Sequence, residues 1–228
     1  MNNTETLRQR LDGTIILPGT PGYDEARSIW NGMIDRKPAL IVRCRTEADV
    51  MRDVGHAREN QLLIAIRGGG HNIAGHAVCD GGLMIDLSPM KEVRVDALAR
   101  RAFVQPGATL FDVDRATQAH GLASPTGINS TTGIAGLALG GGFGWLSRKF
   151  GLTSDNLVSA RIVTADSKCL QVSSTSHPDL FWALRGGGGN FGVVTEFEFA
   201  LHPVGPEVMS GLIVFPHAEA GKVRHHVE

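Results

Sequence analysis

The chain has 228 residues, with 22 Lys plus Arg against 23 Asp plus Glu and a formal net charge of -1. That balance offers no basic field for nucleic acid or an anionic membrane, and no stretch reaches the roughly 18 apolar residues that span a bilayer. Hydrophobic content of 42% is ordinary for a globular core, whereas 29 glycines exceed the usual share of about 7%.

Residues 1–8 lack the apolar core of a signal peptide, so none is expected, and residues 1–37 read as a lead-in. Residues 39–44, Ala-Leu-Ile-Val-Arg-Cys, form a strand-like run. Thr46 then offers an N-cap, with acids in the first turn, for a helix reaching to about residue 60. Residues 61–66 are the next strand, giving a βαβ-like unit. Short strands at 83–87, 92–95 and 102–104 read as an antiparallel meander. A helix runs from Thr109 to about His120, with Gly121 past its end. A glycine-rich middle follows at 127–144, then a strand at 157–165, a short helix at 178–184 and a long alternating strand at 191–201. Residues 211–215 read as one more strand and Ala218 as the start of a helix. A strand plus an unfinished helix is too little to bury an apolar face, so 206–228 reads as the opening of an incomplete second domain, with a packed C-terminal extension as the alternative.

Cys44, Cys79 and Cys169 share no metal-ligand spacing. Cys44 and Cys169 read as reduced core thiols, and the count suits a reducing, cytoplasmic setting. His225-His226 has no acidic partners at metal-ligand spacing, His76 reads as exposed, and Glu196 and Glu198 read as the solvent face of their strand. Trp145 and Trp182 read as core residues beside glycine clusters, with stacking on a bound ligand as the alternative for Trp145.

The sharpest local signal is Arg67-Gly68-Gly69-Gly70-His71-Asn72, directly after an apolar run. Glycines without Cβ let successive N–H groups converge on one anion, and the arginine adds a cation. A tight turn with an incidental surface histidine is the alternative. Two further glycine clusters, 133–144 and 186–192, also follow apolar runs. Three such sites suit one large polyanionic ligand touched along its length. No Ser-His-Asp order or paired carboxylates suggest hydrolysis. A nicotinamide-binding Rossmann fingerprint is disfavoured, because the loop is followed by short strands rather than a helix.

Taken together, several segments resemble the vanillyl-alcohol-oxidase type of flavoprotein, with its PCMH-type FAD-binding domain. Berberine-bridge-enzyme-like and hydroxynicotine-oxidase-like proteins are the nearest in pattern. The matching segments are residues 67–72, Asp86-Leu87-Ser88, Gln105-Pro106-Gly107-Ala108, residues 131–136, 140–144, 148–152 with Asp155-Asn156, 179–188 and 190–194. The resemblance implies an α+β fold: a PCMH-type FAD-binding domain of two α/β subdomains over 38–205, followed by only the start of a substrate domain.

It also implies that FAD is held by main-chain amides. Arg67, Gly68, Gly69, Gly70 and His71, with Asn72 and Gly75 after them, would cover the pyrophosphate. Thr131, Thr132, Gly133 and Gly136, with Gly140, Gly141 and Gly142, would complete the phosphate and isoalloxazine surroundings, alongside Pro106 and Gly107. Gly192, Val193 and Val194 would lie near the adenine end. His71 matches a histidine that many relatives join covalently to the flavin; the alternative is a histidine that only hydrogen-bonds it. Doubly linked relatives add a cysteine at the position occupied here by Asn129, so a singly linked flavin is expected. The implied activity is an FAD-dependent oxidase that takes a hydride from a small alcohol, sugar or amine and passes electrons to O2. The other reading is a truncated, non-catalytic FAD-binding remnant. The substrate-side base would come from the second domain, no metal is expected, and neither substrate nor oligomeric state follows.

Overall fold

The computed structural model describes residues 3–209, 211–212 and 214–222. A short helix α1 (Asn3–Arg8), strand β1 (Thr14–Ile16) and helix α2 (Tyr23–Arg27) precede β2 (Leu40–Arg43). Then come α3 (Glu47–Glu59), β3 (Ile64–Arg67) and β4 (Leu83–Asp86). Thr46 fixes the start of α3 through a reciprocal box: its hydroxyl accepts from the Asp49 N–H while the Asp49 carboxylate accepts from the Thr46 N–H.

These strands form a four-stranded sheet in the order β1-β2-β4-β3, with β2, β4 and β3 parallel and β1 antiparallel at the edge. Residues 83–87 therefore do not belong to the antiparallel meander expected from the sequence; β4 slots between the two strands of the βαβ unit. Its residues Leu83, Met84, Ile85 and Asp86 are all buried. A run that is apolar without alternation marks a strand covered on both faces, and that signal outweighs its proximity to the meander.

The second layer is antiparallel. β5 (Val93–Asp96) and β6 (Arg101–Val104) form a hairpin, followed by α4 (Leu110–Gln118) and β7 (Leu122–Ala123). The glycine-rich middle contains a short helix that the sequence did not announce, α5 (Ile134–Leu139), and a second, α6 (Ser147–Phe150), follows it. β8 (Leu157–Val163), β9 (Cys169–Ser173), α7 (Pro178–Leu184), β10 (Val193–Ala200) and β11 (His202–Pro203) follow, with 3-10 turns at Ser154–Asn156 and, where a helix start was expected at Ala218, at His217–Glu219. The five-stranded sheet runs β5-β6-β10-β8-β9, and β7 pairs with β11.

Each sheet buries its own core. Val50, Val54 and Ala57 of α3 pack on Val42, Leu83 and Ile85. Phe197, Phe199 and Ile162 pack under Leu110, Val113, Ile134, Ala138 and Leu184. The layers are joined at the ends of β8 and β10, because Val163 and Val193 belong to the first core although their strands lie in the second sheet. Glu47 of α3 also pairs with Arg161 and accepts from the Thr195 hydroxyl at 2.7 Å. The result is the expected α+β arrangement of two subdomains.

Three sequence expectations differ. Trp145 and Trp182 are 86% and 74% exposed rather than core. On α7 the core face is taken by Phe181 and Leu184, three apart, which turns Trp182 outward. Gly211, Leu212, Val214 and Phe215 are exposed and carry no strand, since no strand among the described residues pairs with them; Ile213 and His225-His226 lie outside the described residues. Of the thiols, Cys44 and Cys79 are buried but Cys169 is only half-buried. His76 is exposed as expected. Glu196 and Glu198 are partly covered, each paired with an arginine, Arg94 and Arg101.

Candidate functional site

The loop after β3 meets the segment before α5, backbone against backbone. A methyl group added to Gly69 would fall on the Gly133 nitrogen and 2.5 Å from its Cα; one added to Gly133 would lie 2.7 Å from the Gly69 Cα. Behind this seam, Gly68 abuts the Pro106 carbonyl, and Gly107 abuts the Leu87 carbonyl. Ile134 N–H donates to the Ala108 carbonyl at 3.0 Å and Leu110 N–H to the Thr132 carbonyl at 2.9 Å. Residues 67–71, 106–107 and 131–136, separate in sequence, are thus one structure. Part of the glycine signal has a structural origin: these residues let loops touch each other.

The loop still leaves donors to offer. Among the described residues, no acceptor takes the N–H of Gly69, Gly70 or His71. The Gly70 carbonyl accepts from Trp30 N–H at 3.1 Å, and its φ of 71° is open to glycine at little cost. Gly136 and Gly140 lie on the same side chain-free strip: both are exposed, and nothing lies within 4 Å of a methyl placed on Gly136.

His71 stands at the seam. Its Nε2 lies 3.1 Å from the Thr131 hydroxyl, and its ring stacks on Trp30 with centroids 5.5 Å apart. Burial lowers its pKa below the ordinary 6.5, with a hydrogen bond to the Thr131 backbone acting in the opposite sense, so the imidazole is neutral near pH 7. A neutral imidazole with one unbonded nitrogen is a nucleophile.

Arg67 is deployed differently from the free cation expected. Its guanidinium donates to the Ala26 carbonyl and, at 3.3 Å, to the Ser28 carbonyl, while Nε lies 3.7 Å from Asp86. The register places Arg43, Asp86 and Arg67 side by side across three parallel strands, with Arg43 Nε 3.2 Å from the same carboxylate. Asp86 is fully buried and also accepts from Ser88 N–H at 3.0 Å. Arg67 therefore anchors the base of the loop to its neighbours.

The other candidates fall around this seam with differing roles. Asn72 is exposed and accepts from His76 N–H at 3.0 Å, while Gly75 packs against Ile34. The carbonyls of Gly141 and Gly142 accept from Ser154 and Thr153, which ties that cluster to the start of β8. Gly188 N–H donates to the Leu139 carbonyl at 2.9 Å, bringing the third cluster to the end of α5. Gly192, with φ of 145°, lies against the Val163 carbonyl. Val193 and Val194 turn their side chains into the two cores, so only their backbone is available at a surface.

The partners supplied by residues 26–37 carry no signal in the sequence. Trp30 stacks on His71, Asn31 donates to the Ile73 carbonyl at 2.8 Å, and Arg36 donates to the Gly75 and Val78 carbonyls at 2.9 and 3.1 Å. This lead-in has no periodicity to read, and these contacts are to a ring and to carbonyls more than 35 residues away. No His, Cys, Asp or Glu cluster among the described residues could hold a metal, and no helix among them is long and apolar enough to cross a membrane.

Residues 38–173 match the family model of an FAD binding domain. Among curated proteins, the chain is 40% identical over 205 residues to (R)-6-hydroxynicotine oxidase of Paenarthrobacter nicotinovorans, covering 90% of this chain and 45% of that protein. Among solved structures it is similar to 6-hydroxy-D-nicotine oxidase of Arthrobacter nicotinovorans, with a TM-score of 0.83, 41% identity, and coverage of 85% of this chain and 43% of that one. It is also similar to glucooligosaccharide oxidase of Acremonium strictum, described with a 6-S-cysteinyl, 8α-N1-histidyl FAD. There the TM-score is 0.83 at 34% identity, with 88% of this chain and 42% of that one covered. The chain spans less than half the length of each of these relatives.

Proposed function

The chain belongs to the FAD-linked oxidases built on this FAD binding domain, and on that premise we propose that it holds FAD across the seam of residues 68–71 and 131–133, singly linked through His71. The observation that carries this reading is a neutral His71 at the junction of two loops, on the loop where the N–H groups of Gly69, Gly70 and His71 lack acceptors among the described residues. Buried phosphates need donors without extra charge repulsion, and such amides supply them. The open strip at Gly136 and Gly140 leaves room for a flat ring system, while Gly68, Gly107 and Pro106 hold the loops from behind. Gly192, Val193 and Val194 would meet the adenine end through backbone alone. Asn129, where a doubly linked relative would have a cysteine, cannot form a thioether. One link is therefore expected.

When bound, FAD supplies hydride acceptance from substrate and electron transfer to O2, giving hydrogen peroxide. The residues described here orient it and shield its phosphates; His71 retains it. Relatives named for hydroxynicotine and oligosaccharide substrates point to a small organic donor, an alcohol, sugar or amine. Three unpaired thiols suit a reducing, cytoplasmic setting. A second reading is flavin binding without turnover, because the residues gathered at the seam hold and orient FAD rather than touch a substrate.

The test is direct. Protein incubated with FAD in air should be yellow, and flavin fluorescence should stay with the polypeptide after acid denaturation. His71→Ala should release all of it. Flavin wholly in the supernatant for the parent chain would end the covalent reading, and a colourless protein at saturating FAD would end the binding reading. Peroxide formation from sugars, alcohols and amines is expected to be weak or absent, and robust turnover would eliminate the second reading.

A further inference from the structure

We propose that Asn129 and Thr131 form a positioning relay that fixes the tautomer of His71 and leaves Nδ1 as the attacking nitrogen. The inference rests on the covalent reading above and adds the residues that prepare the nucleophile.

The direction of each hydrogen bond follows from the donors available. Asn129 Oδ1 accepts from the Thr131 backbone N–H at 3.1 Å, so that atom is the oxygen and not the amide nitrogen. The same oxygen lies 2.9 Å from the Thr131 hydroxyl, and it can only accept. The single hydroxyl proton is therefore spent on Asn129. What the Thr131 oxygen has left for His71 Nε2, 3.1 Å away, is a lone pair, so Nε2 carries the proton and donates. Burial keeps the ring neutral, and a neutral ring protonated at Nε2 has its nucleophilic lone pair on Nδ1. Among the described residues nothing hydrogen-bonds Nδ1, and Trp30 holds the ring plane by stacking.

Without Asn129, the Thr131 hydroxyl is free to rotate and donate to Nε2. That alternative forces the proton onto Nδ1 and removes the nucleophile. Asn129 thus acts on the flavin link indirectly, by controlling the orientation of a hydroxyl group.

The bond-forming step balances. Nδ1 replaces one hydrogen on the methyl carbon of the flavin's benzenoid ring. That hydrogen leaves as a proton, the Nε2 proton leaves the imidazole toward Thr131, and the two electrons of the broken C–H bond pass to molecular oxygen. Oxygen takes both protons and becomes hydrogen peroxide, while the histidine ends neutral and linked.

The experiment follows covalent attachment by intact mass over time, with FAD in air, in parallel with reversible FAD uptake by flavin fluorescence. Asn129→Ala and Thr131→Val should slow attachment about fivefold, the factor carried by one net hydrogen bond. Asn129→Asp keeps the acceptor and Thr131→Ser keeps the hydroxyl, so both should stay within about twofold of the parent on the same scale. Equal attachment rates for the parent chain and Asn129→Ala would overturn the relay. If the parent binds FAD but never links it, the covalent reading fails separately. The relay is then decided by nitrogen-15 NMR of the His71 ring without cofactor. A proton on Nε2 in the parent that shifts toward Nδ1 in Asn129→Ala supports it; a proton on Nδ1 in the parent, or no change between the two, overturns it.

Discussion

Gly69→Ala puts the seam to its most direct test. The new methyl would fall on the Gly133 backbone nitrogen and 2.5 Å from Gly133 Cα, where ordinary contact is about an ångström longer. Neither side gives way easily. The Gly69 side is tied by Leu87 N–H to the Arg67 carbonyl at 2.8 Å and by the Arg67–Asp86 contact at 3.7 Å. The Gly133 side is tied by Ile134 N–H to the Ala108 carbonyl at 3.0 Å. Overpacking of this kind costs about 1–3 kcal/mol, which for a chain of this size lowers Tm by roughly 3–10 °C. Gly136→Ala is the matched control: it adds the same methyl one turn away, into open space within α5. There the gain in helix propensity should stabilise the cofactor-free protein by about 0.5–1 kcal/mol. Urea and thermal unfolding of both variants without FAD give the comparison. A Gly69→Ala protein with the parent's midpoint would refute the backbone contact and return those glycines to a role in ligand access alone.

Other outcomes follow from buried charge. Asp53 is buried beside the Cys44 thiol, and burial raises its pKa from 3.8 to about 7. A carboxyl whose folded pKa lies above its unfolded one favours the fold when protonated, so this contribution is complete below about pH 4 and is lost as pH rises through 7. Asp53→Asn should therefore gain stability over the parent at pH 8, by up to about 4 kcal/mol, with little gain at pH 4; equal urea midpoint differences at the two pH values would reject the assignment. Asp86→Asn removes the carboxylate shared by Arg43 and Arg67. Breaking a buried pair costs about 3–5 kcal/mol, reduced here to about 2 kcal/mol because both guanidiniums reach solvent; chemical denaturation measures it, and unchanged stability would mean that the two arginines find other partners. Trp182→Ser on the exposed face of α7 should change stability by less than about 0.5 kcal/mol, and a larger loss in thermal unfolding would place that ring against a surface.

Much of this was legible in the sequence for physical reasons. Thr46 and Thr109 each precede a helix by one residue with an aspartate three further on, and both capping boxes form. The glycine clusters after apolar runs marked the three loops. What periodicity could not show was lateral order. Residues 83–86 looked like the next strand of a meander, but their unbroken apolar character belongs to the centre of a parallel sheet. The same limit hid the office of Arg67: its partners Ala26 and Asp86 are set by tertiary packing, and a positive charge next to glycines reads as a ligand contact until that packing is known. Trp30 was invisible as a partner of His71 because a single aromatic in an irregular segment carries no pattern.

The sharing of Val163 and Val193 between the two subdomains has a kinetic consequence. Their strands start in one sheet and end in the core of the other, so the layers meet through a filled interior and not a hinge. Opening the seam by swinging the subdomains apart would expose that interior and break the Glu47 contacts with Arg161 and Thr195 at once. Such an excursion costs a large part of the global unfolding free energy. The amides of β3 and β10 should therefore exchange with solvent as a single cooperative unit.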